Sequence, residues 1–187
     1  MMRESFPDQP LFASTHGALK FAFNCQPSPK VAALGDRKQG SGKGLAGLDG
    51  AGQAGMIEQE VAKLGMVKQS IIAARYTVQT LPCSCRSVCC QGYRLNSKWA
   101  EAIDYLTEYA LLAGLTGTIS HHRLRRALVA RYFGVRESFR DVASKCGVDR
   151  DTASQYYKRI TDDLGANERA AFHEIDGILK QTGVVES

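Results

Sequence analysis

The chain has 187 residues, 44% of them apolar, with 24 Lys and Arg against 19 Asp and Glu and a net charge of +5. That is enough material for one globular domain, or a small domain plus an appendage. No run of about twenty apolar residues is present to cross a bilayer, and the opening Met-Met-Arg-Glu-Ser-Phe-Pro-Asp lacks the basic-then-apolar layout of a secretory signal, so a cytoplasmic protein with no membrane partner is expected.

Pro7, Pro10, Pro27 and Pro29 punctuate residues 1–50, which read as a loosely ordered N-terminal segment whose one apolar patch is 11–23. A glycine cluster over 40–52 follows. Gly42, Gly44 and Gly47 match a dinucleotide-fold fingerprint, but Asp36-Arg-Lys-Gln stands where a buried strand is required. A phosphate-cradling loop is also excluded, since Gly44 follows Lys43 where Ser or Thr must hold magnesium. The cluster reads as a flexible loop leading into a helix.

The segment 51–118 is expected to be helical. Met56, Val61, Leu64, Lys68, Ile71 and Ile72 give a broken apolar stripe that predicts one helix over 52–76, weakened at Gly65. Trp99, Ile103, Leu106 and Ala110 share a face of a second helix that starts near Ser97 and ends by Gly114, with Trp99 a core anchor. Between them lies a knuckle at 82–93, where Pro82 and Gly92 bracket Cys83, Cys85, Cys89 and Cys90.

A reducing cytosol disfavours a disulfide framework, and thiolates are soft ligands of which tetrahedral zinc takes four. A structural zinc site on Cys83, Cys85, Cys89 and Cys90 is therefore expected. The spacing is not the usual pair of two-residue-separated cysteines, and adjacent ligands such as Cys89 and Cys90 need a contorted backbone. One cysteine spare, with His121 or His122 in its place, is an open alternative, as are a redox-sensitive thiol cluster and a set of small buried side chains.

Residues 119–164 carry the strongest pattern. A helix after Ser120 turns Leu124, Leu128 and Tyr132 inward and Arg125 and Arg126 outward, closing at Gly134. Ser138 then precedes a short helix with Val142, Ala143 and Cys146 on one face. Gly147 supplies a left-handed turn, Val148 plugs the corner, and Asp149 or Asp151 caps a second helix with Ala153, Tyr156 and Ile160 inward. Small residues where two helices cross, with a glycine between, describe a helix-turn-helix. Its outer face shows Arg150, Ser154, Gln155, Lys158 and Arg159. A final amphipathic helix within 165–187 places Ala171, Ile175, Ile178 and Leu179 over 167–180. Strand signals are nearly absent, so the expected class is all-α, with a C-terminal helix-turn-helix and a cysteine-rich knuckle.

Charge follows the same division. Residues 119–160 hold ten cations against four carboxylates, a net of +6, whereas the tail from Thr161 nets −4. A basic centre suits a polyanion and an acidic tail suits a protein partner. Arg and Gln make paired hydrogen bonds to guanine and adenine edges, while Lys158, Arg159 and the cluster from Arg123 to Arg126 set register on phosphates.

The block Leu128-Val-Ala-Arg-Tyr-Phe-Gly, then Glu137-Ser-Phe-Arg-Asp-Val-Ala-Ser-Lys-Cys-Gly-Val, then Thr152-Ala through Tyr156-Lys-Arg-Ile resembles the promoter-reading region of bacterial sigma factors. More specifically it resembles bacteriophage Q-type late antiterminators, in which a cysteine-rich segment precedes a sigma-like helix-turn-helix and a further helix. The resemblance covers about the last hundred residues of this chain. It implies a protein that binds double-stranded DNA beside a late promoter, engages bacterial RNA polymerase, with or without sigma factor, and carries it through terminators. It also implies that Arg150, Asp151, Ser154, Gln155 and Lys158 face bases, with Thr152 and Arg159 on phosphates; Arg126 joins the phosphate set on charge alone.

Rival readings remain open. One is an activator or repressor at an operator, dimerised through the 167–180 helix. Another is an RNA-binding module built on the knuckle, with Tyr93 as a stacking platform. An enzyme is not expected, since no acidic pair, Cys-His-Asp constellation or nucleotide loop is present. The oligomeric state is left open.

Overall fold

The computed structural model describes residues 10–25, 48–83, 85, 91–115 and 121–186. Among these the chain forms seven helices and one two-stranded antiparallel sheet, an all-α fold as its periodicity leads one to expect. No helix among the described residues is long and apolar enough to cross a membrane. The chain divides into two compact units, 1–64 with 173–187, and 65–172.

In the first unit, helix α1 (Thr15–Asn24) starts at Ser14, whose hydroxyl accepts the Gly17 amide at 3.2 Å. Thr15, Ala18, Leu19 and Ala22 fall at helical spacing and are buried. The 11–23 patch, read from sequence as part of a loose segment, is thus packed. Helix α2 (Leu48–Ala62) turns Ala54, Ile57 and Val61 inward, leaving Met56 at the surface. The long helix α7 (Arg150–Gln181) contributes its last turns, where Ile175 and Leu179 are fully buried. Gly183 then takes a positive φ of 72°, turning the chain so that Phe12 and Val185 form a parallel bridge. The Thr15 hydroxyl donates to Asp176 at 2.5 Å.

The expected single helix over 52–76 is two. The chain breaks at Lys63–Gly65, and helix α3 (Met66–Tyr76) begins with Gly65 in extended backbone at its N-cap. An interior glycine costs a helix about 1 kcal/mol relative to Ala, and the boundary between the compact units falls here.

The second unit holds α3, strands β1 (Thr80–Pro82) and β2 (Tyr93–Leu95), and helices α4 (Ser97–Leu112), α5 (His122–Tyr132), α6 (Phe139–Cys146) and the first part of α7. Its core gathers Ile71, Trp99, Ile103, Leu106, Leu124, Leu128, Val142, Ala153, Ile160 and Leu164. Asn96 caps α4 through the Lys98 amide, and His121 caps α5 through the Leu124 amide. Arg125, expected to face out beside Arg126, is instead 2% exposed, its Nε 3.4 Å from the Thr107 carbonyl. Helix α5 is covered by α4 on one side and α6 on the other, so its buried arc is wider than one apolar stripe.

A polar clamp ties three of these helices. Arg75 of α3 makes a two-pronged pair with Glu168 of α7 at 2.6 and 2.7 Å, and the Tyr132 hydroxyl of α5 donates to the same carboxylate at 2.5 Å. The Arg75 guanidinium also lies 5.0 Å from the Tyr132 ring centre. Burial pushes the Glu168 carboxyl up, but the hydrogen bonds from Arg75 and Tyr132 and the Arg75 charge outweigh it, leaving it below its ordinary value. Burial, reinforced by Glu168, pushes the Tyr132 phenol up to about 12.

Glu168→Gln is expected to lower stability by roughly 1–3 kcal/mol, the range for hydrogen bonds to a charged partner that is partly screened. Because the folded carboxyl lies below its unfolded value of about 4.3, the contribution is complete above that pH and is lost as pH falls through the folded value. Urea midpoints between about pH 3 and 6 check this: the wild type declines more steeply than the Gln variant.

Candidate nucleic-acid interface

Helix α6 is set by its caps. Ser138 is extended, its hydroxyl accepting the Asp141 amide at 3.1 Å while donating to the Asp141 carboxylate at 2.6 Å. At the other end Gly147 has φ 65° and ψ 34°, and the Val148 amide returns to the Ala143 carbonyl at 3.1 Å. Helix α7 starts at Arg150, with Asp149 before it and Asp151 in its first turn. Val142 and Ala143 on α6 and Ala153 and Ile160 on α7 are buried in one core. This is the two-helix corner expected for residues 139–160.

Three aromatic and cationic groups lock the corner from the far side. Phe139 and Tyr157 meet edge-on at 5.2 Å, and the Arg131 guanidinium of α5 lies 4.3 Å from the Phe139 ring and 5.6 Å from the Tyr157 ring. Arg131 also donates to the Glu137 carbonyl. Tyr157 therefore shares the inner side of α7 with Tyr156, the tyrosine expected there; both are half-buried. The stack was not anticipated, because Arg131 in sequence is one more cation of a basic run.

The outer face of α7 presents Arg150, Asp151, Ser154, Gln155, Lys158 and Arg159, all exposed, with Thr152 half-buried at its margin. At about 100° per residue these six occupy roughly half the helix circumference, and Ala153, Tyr156, Tyr157 and Ile160 occupy the other half. Lys and Arg supply donors at either end of the stripe, and Gln155 supplies both donor and acceptor in the middle. Arg126 is not among them: it sits on α5, its Nε 2.6 Å from Asp104 of α4. Arg123, at the start of α5, is near enough to α6 for its charge to act on the Cys146 thiol. Two open clefts of about 570 and 490 Å³ flank the α5–α6 loop. Arg136 and Glu137 line both, so neither has a single sign of charge.

The cysteine knuckle grows out of the β1–β2 hairpin. Thr80 pairs with Leu95, Leu81 with Arg94 and Pro82 with Tyr93, and the Cys83 amide extends the ladder to the Gly92 carbonyl at 2.9 Å. Cys83 is half-buried and Cys85 exposed, and neither is in a disulfide. Cys89 and Cys90 lie outside the described residues. His121 is engaged through Nδ1 at the α5 cap, and His122 lies 3.4 Å from Glu108. Among the described residues no group of three His, Cys, Asp or Glu gathers as a metal site.

Comparison with protein-family models, curated proteins and solved structures finds no match.

The corner makes its own demand on sequence. A Cβ at Gly147 would meet nothing within 4 Å, so the burden of a substitution there is conformational alone. Gly147→Ala is expected to cost about 1–2 kcal/mol, the left-handed penalty of an L-residue, and Gly147→Asn less. Thermal and urea unfolding of the two variants measures the difference.

Proposed function

We propose that this chain is a DNA-binding regulator of transcription that lays the first turns of α7 in the major groove. The observation that carries the reading is the exposed stripe of Arg150, Asp151, Ser154, Gln155, Lys158 and Arg159, set on a helix whose opposite face is buried against a capped, glycine-turned partner. A groove-reading helix needs both a rigid mount and side chains able to bridge base edges. On this reading Arg150, Asp151, Ser154, Gln155 and Lys158 face bases, and Thr152 and Arg159 hold phosphates. Arg126 is already matched by Asp104, so the work of phosphate anchoring falls mainly on Lys158 and Arg159.

The more specific proposal is antitermination in a bacterial cytoplasm: DNA binding beside a late promoter, engagement of RNA polymerase, and passage through terminators. Its support is the order of parts, a cysteine hairpin, then the reader, then a further helical segment, which matches the Q-type layout. An operator-bound dimer joined through the 167–180 stretch has less support, because Ala171, Ile175 and Leu179 are each 0% exposed within the chain. A structural zinc in the hairpin loop is part of the proposal. Cys83 and Cys85 offer two soft donors at the mouth of the loop, and Cys89 and Cys90 would complete the set. The ion would cross-link a loop that has too few apolar residues to pack on its own.

Gln155→Ala is expected to relax preference at one base pair, about 1–3 kcal/mol of discrimination, with the salt dependence of binding unchanged. Lys158→Ala or Arg159→Ala should weaken binding to all sequences and lower the salt slope by about one ion. Titration against a site library at several salt concentrations separates the two. Transcription through a terminator, with purified protein and its host polymerase, tests the larger claim. Readthrough that requires a promoter-proximal site supports it; unchanged termination with altered initiation assigns the chain to operator regulation instead.

For the metal, cobalt substitution should give one thiolate-to-cobalt charge-transfer band per chain, reduced by Cys83→Ser and abolished by a chelator. A chain purified without metal that develops no such band when cobalt is added under reducing conditions overturns the zinc assignment.

A further inference from the structure

We propose that Asp162 limits how tightly the α7 face holds DNA: its carboxylate opposes phosphate where the helix leaves the groove, and so weakens binding to every sequence alike. This rests on the DNA-binding function proposed above and adds to it a charge that works against binding. Asp162 is exposed in the middle of α7. It lies four residues after Lys158 and three after Arg159, hence on their side of the helix. Gln155 is seven residues before it, only about 20° away around the axis. From Thr152 to Thr161 the helix has no carboxylate, so Asp162 is the first negative charge on this face beyond Asp151.

No structural duty accounts for the residue. Its neighbours along α7 are engaged: Asp163 accepts from the Tyr109 hydroxyl at 2.9 Å, Glu168 holds Arg75 and Tyr132, and Asp176 accepts from Thr15 and pairs with Lys180. Asp151, in the first turn, complements the positive end of the helix dipole. Asp162 is too far along the helix for that. Among the described residues its carboxylate has no ion pair and no hydrogen-bond partner. Helix propensity does not favour it either, since Asp is among the poorer helix formers.

Distance along the axis sets what Asp162 meets. It stands about 18 Å beyond Arg150 and about 10 Å beyond Gln155. The major groove is about 12 Å wide, and a helix reading it with its N-terminal residues runs nearly straight while the groove curves around the duplex. Residues further along the same face therefore come to the phosphates that wall the groove. Lys158 and Arg159 meet those phosphates with opposite charge; Asp162, one turn later, meets them with like charge. The carboxylate is also one turn from both cations, so it competes with phosphate for them. Neither effect depends on base sequence. A chain that binds beside a promoter and then moves with polymerase must let its site go, and a built-in opposing charge keeps the hold releasable.

The test uses the full-length protein and two short fluorescein-labelled duplexes, one of random sequence and one selected from a site library by the wild-type protein. Anisotropy is read at several salt concentrations. Asp162→Asn and Asp162→Ala should each tighten binding by roughly three- to tenfold, the value of one like-charge contact at a few ångströms in water, and by nearly the same factor for both duplexes. The salt slope should steepen by up to about one ion. Asp162→Glu, which keeps the charge, should stay within about twofold of wild type. Glu101→Gln removes the same charge from an exposed position on α4 and should also stay within about twofold.

Unchanged affinity in the Asp162→Asn protein overturns the proposal, as does equal tightening by Glu101→Gln, which makes the effect one of net charge. Weaker binding of the selected duplex by Asp162→Asn, with loss of preference at a C·G pair, makes Asp162 a base reader and likewise overturns it. If Lys158→Ala weakens binding while Asp162→Asn leaves it unchanged, the α7 interface stands and the role of Asp162 does not. If the wild type binds neither duplex, or Lys158→Ala changes nothing, the function proposed above falls and the role of Asp162 with it.

Discussion

The stripe proposed to read bases is the beginning of a helix of 32 residues, about 48 Å long, and its aim is set by what that helix buries further on. Ala153, Ile160, Leu164 and Ala171 recur at seven- and four-residue steps and are each 0% exposed. A helix held at four such points cannot rotate about its axis without pulling an apolar side chain into water, at roughly 1.5–3 kcal/mol for each large one. The Arg75–Glu168–Tyr132 clamp adds a directional constraint to that non-directional one, because a two-pronged guanidinium–carboxylate pair tolerates little twist. Gly165 sits within the clamp, and a Cβ there would lie 3.6 Å from the Tyr132 hydroxyl. That is ordinary contact, so the glycine is accommodated without being required. The orientation of Gln155 and Lys158 is thus a property of the whole core of the second unit.

Charge counted along the sequence overstates what a ligand at the surface would meet. Ten cations fall within 119–160, yet their surroundings divide them. Arg125 is buried against Thr107, Arg126 is paired with Asp104, Arg131 is stacked on two rings, and Lys145 is paired with Glu137 at 2.5 Å. A paired cation projects little field beyond a Debye length, about 8–10 Å at moderate salt. Arg123, Arg136, Arg140, Arg150, Lys158 and Arg159 are exposed and carry the electrostatic footprint of the helix-turn-helix. Two of them, Lys158 and Arg159, stand next to Gln155 on the helix surface, so the residues that attract a polyanion lie beside the residue best able to discriminate within it.

The helix-turn-helix was legible in sequence because each of its parts has a local cause. Ser138 before an apolar run, Gly147 after it and Ala143 and Ala153 at the crossing are short-range signals that tertiary context did not override. The single helix over 52–76 was misread because an interior glycine has two outcomes, a tolerated weak point or a break, and burial of Leu64 and Ile71 in separate units decided for the break. The same ambiguity ran the other way in α7. The second helix of the helix-turn-helix and the amphipathic stretch over 167–180 are expected as separate helices, but Leu164 between them is fully buried and one helix runs through. Arg125 is expected outward because its burial depends on a partner more than five positions away, Thr107, that no periodicity reveals, and the stacking of Arg131 on Tyr157 is hidden for the same reason. The hairpin was invisible for a related reason. Its strands are three residues each, too short for alternation to register, and they are held by cross-strand pairing and by Gln79.

That last contact ties the hairpin to the helix-turn-helix. Gln79 leads directly into β1 and donates to the Phe133 carbonyl; Gly134, the residue after Phe133, holds φ 98°, and a Cβ on it would lie 3.5 Å from the same side chain. From there five residues reach the start of α6, and within them Arg131 closes back on Glu137 and Phe139. The hairpin root and the entrance to the helix-turn-helix are therefore joined by side chains within one compact unit. The Gln79 contact thus braces the residue from which the loop into α6 departs.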